Sequence, residues 1–165
     1  MFNEVGKMRR ILMPVLAVMM FLITSCGRFD DIKVNSANIE NIQPYGLKGL
    51  DMTLKIEVDN PAAQVSLSEM EAVVKNSGKV IGRVTVDPFT MKARRVEMYD
   101  LKARMTLDQS VSLFDILMLF DKGTLETCVV DVTLKARLKS GVSRTLNEKD
   151  IPLKKLIDYA DKTRK

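Results

Sequence analysis

Apolar and polar residues alternate with a period of two along three segments of the chain, residues 50–58, 101–107 and 128–138. Each segment places four to six apolar residues on one face. This alternation is typical of β-strands that bury one face and expose the other. We therefore predict three strands that supply the central part of an apolar core.

Weaker strand-like segments lie between these three, at residues 34–42, 65–75, 79–86 and 142–151. Turn-forming residues separate the segments: Asn76-Ser77-Gly78, Ser140-Gly141, Asn60-Pro61 and Asp87-Pro88. The glycine-containing turns predict hairpins, and each proline predicts the end of a strand because proline cannot donate to a central ladder. The pattern predicts an all-β protein, an antiparallel immunoglobulin or fibronectin III-like β-sandwich of about seven strands.

Residues 112–121 interrupt the strand pattern and predict one inserted helix. Ser112 and Asp115 are spaced as a capping box, and a glycine follows the segment at position 123. On a helical wheel Phe114, Met118 and Leu119 lie outside the main apolar face. Either the helix plugs one end of the sandwich and loops cover these three side chains, or they form an exposed contact site for a partner or a lipid.

Residues 153–165 predict a short C-terminal helix with a basic tail. Leu153, Leu156, Ile157 and Ala160 recur at helical spacing among charged residues, and Pro152 suits the first turn. The narrow apolar stripe favours packing against the sheet over lying on a membrane surface, because it contains no large aromatic anchor. The basic tail could also touch anionic headgroups.

Residues 1–25 have the order and size of a secretory signal peptide. Lys7, Arg9 and Arg10 form a basic start, and 13 apolar residues follow at positions 11–23. A membrane-spanning helix needs roughly 20 apolar residues, so this run is too short for a permanent span. Pro14 within it disfavours a long rigid helix as well. We therefore predict that this segment is removed.

The segment Ile23-Thr24-Ser25-Cys26 resembles the lipobox of bacterial lipoproteins. The resemblance implies a diacylglyceryl thioether on Cys26, cleavage before it, and acylation of the new amino group by a fatty acid such as palmitate. Residues 26–33 would then form a lipidated tether, and several acyl chains hold a protein on a membrane far better than one. The alternative is an ordinary signal peptide, after which Cys26 could pair with Cys128.

The charge of the exported part argues against a polyanion-binding protein. Removal of residues 1–25 takes away three of the 26 basic residues and one of the 21 acidic residues, which leaves 23 basic and 20 acidic residues. Basic and acidic residues are interspersed, and the chain has three tyrosines, so neither a phosphate-binding stripe nor a base-stacking platform is present. The remaining residues, about 140 of them, suit one domain, which we assign to residues 34–152.

Catalytic motifs are missing from the sequence. It contains no histidine, which excludes nucleophiles activated by histidine and zinc sites built on histidine. The cysteine-pair, nucleophile-elbow and phosphate-loop spacings are also absent. Glu69 and Glu71 share one face of a predicted strand and are expected to be solvated, whereas Cys128 belongs to the inward set and is expected to be buried. We predict no enzyme activity, no catalytic residue, no metal site and no cofactor.

The segment from residue 34 to about residue 108 resembles the LEA14 (late embryogenesis abundant, type 2) family, also called the water stress and hypersensitive response domain. The resemblance rests on Ile39 and Ile42 in an early strand, a strand that ends in Asn60-Pro61, a strand at residues 67–74 and the hairpin at residues 78–82. It implies a β-sandwich with a helix, no catalysis and an association with water stress. The Asn-Pro motif implies a structural turn and not a site.

Two functional hypotheses follow. The first is a non-catalytic envelope lipoprotein that binds an envelope protein partner in membrane integrity or stress tolerance. The second is a carrier or sensor of an apolar ligand or lipid, with an adaptable cavity lined by methionines at positions 52, 70, 91, 98, 105 and 118. Gly27 after the anchor resembles the enterobacterial pattern for the outer membrane, whereas Asp30-Asp31 resembles acidic export tags for the cell surface. The oligomeric state stays open.

Overall fold

The computed structural model describes residues 31–112, 114–115 and 127–155. Eight antiparallel β-strands form one sheet: β1 (Lys33–Tyr45), β2 (Gly49–Asn60), β3 (Val65–Asn76), β4 (Lys79–Val86), β5 (Phe89–Met91), β6 (Arg95–Leu107), β7 (Cys128–Leu138) and β8 (Ser143–Pro152). The strand order is β1-β2-β6-β4-β3-β7-β8, and β5 pairs with β3. The all-β, antiparallel prediction is therefore confirmed.

The three strongly alternating segments became β2, β6 and β7, and the four weaker segments became β1, β3, β4 and β8. The sheet differs from the prediction in two places. The three-residue strand β5 was not predicted, and β6 begins at Arg95, six residues before the predicted start at position 101. Both differences follow Asp87-Pro88, where the chain leaves its pairing with β6 and continues along β3.

Strand β3 contains a bulge that keeps its apolar residues on the inner face. Val65 and Leu67 are buried, and the next buried residue is Met70, three positions later. The extra residue is Glu69, whose φ of 52° lies in the left-handed region, and the pairing with β7 shifts register between Ser68 and Glu71. Without this inserted residue the second half of the strand would turn its apolar side chains to solvent.

The predicted turns are present. Ser77 and Gly78 both have positive φ, and their neighbours Asn76 and Lys79 pair across the hairpin, which is the two-residue turn that suits twisted strands. Gly141 has a φ of 92° between β7 and β8. Asn60 ends β2, and Val86 ends β4 immediately before Asp87-Pro88.

The apolar core is assembled from alternate residues of β2, β3, β6 and β7. Several of these side chains have no exposed surface at all: Ile56, Val65, Ala72, Val130, Val132 and Leu134, together with Met91 of β5. Ile32 and Leu153, which flank the sheet in sequence, are buried in the same core. Within the described residues, no helix has the length and apolar content needed to cross a bilayer.

The antiparallel register gives the sheet two ends. The lower end holds the start of β1 at Lys33, the end of β2 at Asn60, the turn before β6 at Arg95 and the end of β7 at Leu138. The upper end holds the turn between β1 and β2 at residues 45–49, together with the hairpin between β3 and β4 and the start of β7. Strand β2 runs between them over about 35 Å, from its 12 residues.

Candidate contact site

The turn between β1 and β2 presents an apolar side chain to solvent at the upper end. Leu47 is 95 % exposed at the tip of this turn. Tyr45 and Gly49 pair across it, and the absent side chain of Gly49 allows the close approach, since a Cβ there would lie 2.5 Å from the carbonyl oxygen of Tyr45. The turn is therefore tight, and it keeps the Leu47 side chain exposed to solvent.

Lys48 fastens this turn to the end of β6. Its backbone carbonyl accepts a hydrogen bond of 2.8 Å from the N–H of Leu107, and its ammonium group donates to the carbonyl oxygens of Asp108 and Gln109. These bonds place Leu47 beside the segment that follows β6. That segment leads to Phe114, which is 68 % exposed.

The predicted capping box is present where this segment turns into helix. The Ser112 N–H donates to the Asp115 carboxylate at 2.8 Å, and the Asp115 N–H donates to the Ser112 hydroxyl at 3.1 Å. The N–H and hydroxyl of Ser112 hold the pKa of Asp115 below its usual value. Reciprocal bonds of this kind satisfy two amides that a helix start leaves open. Phe114 and Asp115 are helical, and residues 113 and 116–121 of the predicted helix lie outside the described residues.

The predicted site residues are thus only partly described. Phe114 is exposed at the upper end. Met118 and Leu119, the other two members of the predicted contact site, and the lipidation site Cys26 lie outside the described residues. The helix predicted for residues 153–165 begins with helical residues 153–155, and the remainder lies outside as well. The choice between a covered plug and a contact patch stays open for Met118 and Leu119.

A second aromatic side chain at the upper end is held by a cation. The guanidinium carbon of Arg104 lies 3.8 Å from the ring centroid of Tyr45, and the same guanidinium makes two hydrogen bonds of 2.6 and 3.1 Å to the Asp51 carboxylate. This hydrogen bonding lowers the pKa of Asp51 and raises that of Arg104. Cation–π stacking of this kind orders one face of the tyrosine, although about half of the residue stays exposed.

At the lower end Asn60 holds the turn that follows β2. It is 1 % exposed, and its amide group donates at 3.0 Å to the carbonyl oxygens of Ala63 and Lys92. Its side-chain oxygen accepts from the N–H of Ala62 at 3.1 Å. The side chain therefore joins the loop after β2 to the turn before β6.

The same turn is held by a network that the sequence interpretation missed. The hydroxyl of Tyr99 accepts from the Lys92 N–H at 2.9 Å and donates to the Glu97 carboxylate at 3.2 Å, while the Lys92 ammonium lies 2.7 Å from that carboxylate. The tyrosine ring packs against Phe89 with centroids 5.6 Å apart. Partial burial raises the pKa of Tyr99, and the Lys92 ammonium lowers that of Glu97.

The charged side chains of the outer face form cross-strand ion pairs. Glu71 pairs with Arg83 at 2.5 Å and Glu69 pairs with Lys135 at 3.1 Å, so these two carboxylates lie on the outer surface, each beside a cation. Among the described residues, no group of three or more histidine, cysteine, aspartate or glutamate side chains could hold a metal ion. Cys128 is buried as predicted, and this burial raises the pKa of its thiol.

The methionines of the carrier hypothesis divide into two groups. Met52, Met70, Met91 and Met105 are buried in the core, each at most 7 % exposed. Met98 lies on the outer face of β6 and is 48 % exposed, and Met118 is outside the described residues. Four of the six therefore contribute to core packing, where a flexible thioether fills irregular gaps.

Comparisons with known proteins give a weak structural likeness. No protein-family model and no curated protein matches the sequence. A protein from Archaeoglobus fulgidus is similar over 71 % of this chain and 94 % of its own, with a TM-score of 0.43 and 8 % identity. The GAE domain of yeast GGA1 is similar over 68 % of this chain and 88 % of its own, with a TM-score of 0.27 and 6 % identity. DesR, a β-glucosidase from Streptomyces venezuelae, is similar over 71 % of this chain and 15 % of its own, with a TM-score of 0.26 and 13 % identity.

Proposed function

We propose that this chain is a lipoprotein of the bacterial cell envelope that acts by contact with an envelope partner and not by catalysis. The basic start, the short apolar run and the cysteine at position 26 support export and lipidation. The proposed process is membrane integrity or stress tolerance, in line with the late embryogenesis abundant resemblance.

We infer further that the sheet folds over on itself as a β-sandwich of the immunoglobulin or fibronectin III kind. Both β2 and β7 bury every second residue almost completely. A single open layer would leave that face in water, so the buried face needs a second layer of comparable extent. The described helical residues are few, which makes the other half of the same sheet the best candidate for that layer.

The direction of the strands supports an orientation in which the apolar upper end points away from the proposed anchor. The chain enters β1 at the lower end, and six residue steps lead from Cys26 to Ile32. Fully extended, they span at most about 20 Å. With the lower end near the bilayer, the upper end of an upright domain extends about 35 Å farther, the length of β2. Leu47 and Phe114 would then face the periplasm or the medium.

The observation that carries the contact proposal is the exposure of Leu47 and Phe114 at one end of the sheet, 95 % and 68 % respectively. Three hydrogen bonds join the turn that holds Leu47 to the last residue of β6 and to the two residues after it. A capping box holds the start of the helix that carries Phe114. Large apolar side chains that a folded structure holds in water at one end of a sheet support a contact role, because exposed apolar surface often marks a binding site.

The contact proposal is tested by crosslinking and pull-down from detergent-solubilised membranes. We expect the double substitution Leu47→Ser with Phe114→Ser to abolish copurification of a defined partner, while the free energy of unfolding changes by less than about 0.5 kcal/mol. The matched control is Met98→Ser, an exposed apolar side chain away from the upper end. Equal recovery from all three proteins would reject the contact surface, and recovery of a bound lipid would favour the carrier.

The lipid anchor is tested separately. We expect metabolic labelling with palmitate and mass spectrometry of the mature protein to place the acyl chains on Cys26, and Cys26→Ser to abolish both the label and membrane retention. We propose the outer membrane as the location, on its periplasmic face or on the cell surface. Protease treatment of whole cells distinguishes these faces, because a periplasmic domain survives it. An unprocessed, unacylated amino terminus in the native protein would reject the proposal.

A further inference from the structure

The lower end of the sheet carries an excess of basic side chains. Six exposed residues make up this lower basic surface: Lys33, Arg94, Arg95, Arg137, Lys139 and Arg144. Within the described part of the chain, none of the six side chains lies within 4 Å of a carboxylate oxygen. The nearby Glu97 is already bound to Lys92. The positive charge of this end is therefore available to an external anion.

Backbone hydrogen bonds join the loops that carry this charge into one rigid surface. The N–H of Arg94 donates to the carbonyl of Ala62 at 3.2 Å, and the N–H of Lys139 donates to the carbonyl of Gln64 at 3.3 Å. The Asn60 amide connects the same loop to the carbonyl of Lys92. The turns before β6 and after β7 are thus both tied to the loop after β2, and their cations share one end of the sheet.

Exposed apolar side chains accompany the cations. Val142, in the turn between β7 and β8, is 64 % exposed, and Val96, next to Arg95, is 54 % exposed. A surface of valines among arginines and lysines suits the membrane interface, between the lipid headgroups and the acyl chains. There the valines lie in a partly apolar environment and the cations contact the phosphate groups. An entirely aqueous anion, such as a nucleic acid, would offer the valines no comparable environment.

The upper end differs in charge arrangement. There Lys48 and Lys79 lie close enough to Asp108 and Asp115 to lower the pKa of both carboxyl groups, after the hydrogen bonds that each aspartate accepts. On the lower basic surface one of the six cations, Arg95, has such a neighbour, because it helps to lower the pKa of Glu97 after the stronger effect of Lys92. None of the six lies within ion-pair distance of a carboxylate of the described residues. The excess of basic over acidic side chains is found at the lower end, where the chain enters the sheet.

We propose that the lower basic surface lies against the anionic phospholipid headgroups of the leaflet that holds the anchor. The inference rests on the proposed lipidation of Cys26, because a tether of at most about 20 Å brings the surface close to the bilayer. Basic residues gain attraction to anionic lipid only within about a Debye length, roughly 8 Å at physiological salt. Docking orients the domain upright, with Leu47 and Phe114 directed away from the membrane.

The test uses the mature acylated protein in vesicles, with a fluorophore on Val142→Cys and a quencher attached to lipid headgroups. The vesicles contain either phosphatidylcholine alone or phosphatidylcholine with about 30 % phosphatidylglycerol. We expect at least about threefold stronger quenching on the anionic vesicles, reduced to the neutral level near 0.5 M salt. A fluorophore on Leu47→Cys should stay weakly quenched on both.

Charge variants decide whether the lower basic surface causes this difference. The triple substitution Arg94→Gln, Arg95→Gln and Lys139→Gln should bring the quenching of the Val142 fluorophore on anionic vesicles to the neutral level. The matched control replaces three exposed lysines elsewhere with glutamine, Lys79, Lys102 and Lys149, and should leave the difference unchanged. Equal quenching on both vesicle types, or an equal effect of the two triple variants, would overturn the docking.

Mass spectrometry of the same sample separates this inference from the proposed function. An acylated protein whose Val142 fluorophore responds equally to both vesicle types overturns the docking and leaves the anchor intact. A native protein without acyl chains overturns both, because the docking requires the anchor. Circular dichroism of each variant checks that the sheet is folded, and the Leu47 fluorophore reports whether the domain has tilted instead of docked.

Discussion

Among the described residues, the most buried polar side chain lies at the lower end of the sheet, and the two most exposed large apolar side chains lie at the upper end. At the lower end Asn60 is 1 % exposed and satisfies three backbone groups, whereas at the upper end Leu47 is 95 % exposed and Phe114 is 68 % exposed. Buried hydrogen bonds are expensive to break, and exposed apolar groups contribute little to stability. We therefore expect substitutions of the buried polar group at the lower end to reduce folding stability, and substitutions of the exposed apolar groups at the upper end to affect only the proposed contact.

The largest expected effect is that of Asn60→Ala, which would leave the carbonyls of Ala63 and Lys92 and the N–H of Ala62 without their partner. We expect a loss of about 2–4 kcal/mol in the free energy of unfolding, measured by urea denaturation. The matched control is Asn76→Ala at the upper end, where the asparagine is partly exposed and a loss below about 1 kcal/mol is expected. Equal losses would contradict the comparison.

Most of the fold could be predicted from alternation, because β2, β3, β4 and β7 each bury one face. The boundaries of β4 and β7 match the predicted segments. The first half of β6 was missed because its outer face carries Val96 and Met98 while its inner face carries Glu97, which inverts the usual pattern. Strand β5 has three residues, too few for a period to be recognised. The bulge in β3 leaves a trace in the sequence, the three-residue step from Leu67 to Met70.

The sites were harder to predict, because they depend on contacts between distant segments. The capping box of Ser112 and Asp115 is local and was predicted. Leu47 lies in a turn, where one apolar residue forms no pattern, and its exposure depends on the bonds that Lys48 makes to residues about 60 positions away. The network of Tyr99 could have been suspected from the inward phase that Glu97 and Tyr99 share with Leu101.

The second largest effect on the free energy of unfolding is expected for Tyr99→Phe, which tests whether the polar network of the lower end stabilises the fold. The phenylalanine keeps the ring beside Phe89 but removes the hydroxyl that accepts from the Lys92 N–H and donates to Glu97. We expect a loss of about 1 kcal/mol in the free energy of unfolding, because the hydroxyl group is partly buried. Tyr45→Phe at the upper end is the control and should change stability by less than about 0.5 kcal/mol. A smaller loss for Tyr99→Phe than for its control would refute this account.

A smaller effect, of opposite sign, is expected in the upper hairpin. Ser77 has a φ of 50°, a conformation that asparagine and glycine adopt more readily than serine. We expect Ser77→Asn to raise the free energy of unfolding by about 0.5 kcal/mol, measured by thermal or urea denaturation. Ser77→Val is the opposing control, because a β-branched residue is strained at positive φ and should lower stability. Stabilisation by valine would show that the turn rearranges.

The smallest effect concerns the ion pairs of Lys75 on the outer face near the upper end. Its ammonium lies 2.8 Å from Asp131 and 2.9 Å from Asp150, which is 70 % exposed. Partial burial tends to raise the pKa of Asp131, but hydrogen bonds from Lys75 and from the N–H of Asp150 bring it below its usual value. The hydrogen bonds to both aspartates raise the pKa of Lys75. Pairs that are still partly exposed add little stability, because water and salt screen them.

The signs of these shifts determine how Lys75→Met responds to pH. A carboxyl group with a lowered folded pKa stabilises the fold above its unfolded pKa of about 3.9, and that contribution is lost as the pH falls through the folded value. An ammonium with a raised folded pKa contributes below about 10.4, and that contribution is lost as the pH rises through its folded value. The difference in unfolding free energy between wild type and Lys75→Met should therefore be constant between about pH 5 and about pH 10 and decline on both sides. The control Lys102→Met removes an exposed lysine from the same outer face, and its unfolding free energy should not differ from that of the wild type in this pH-dependent way. The same pH profile in both variants would show that the effect comes from net charge and not from the ion pairs.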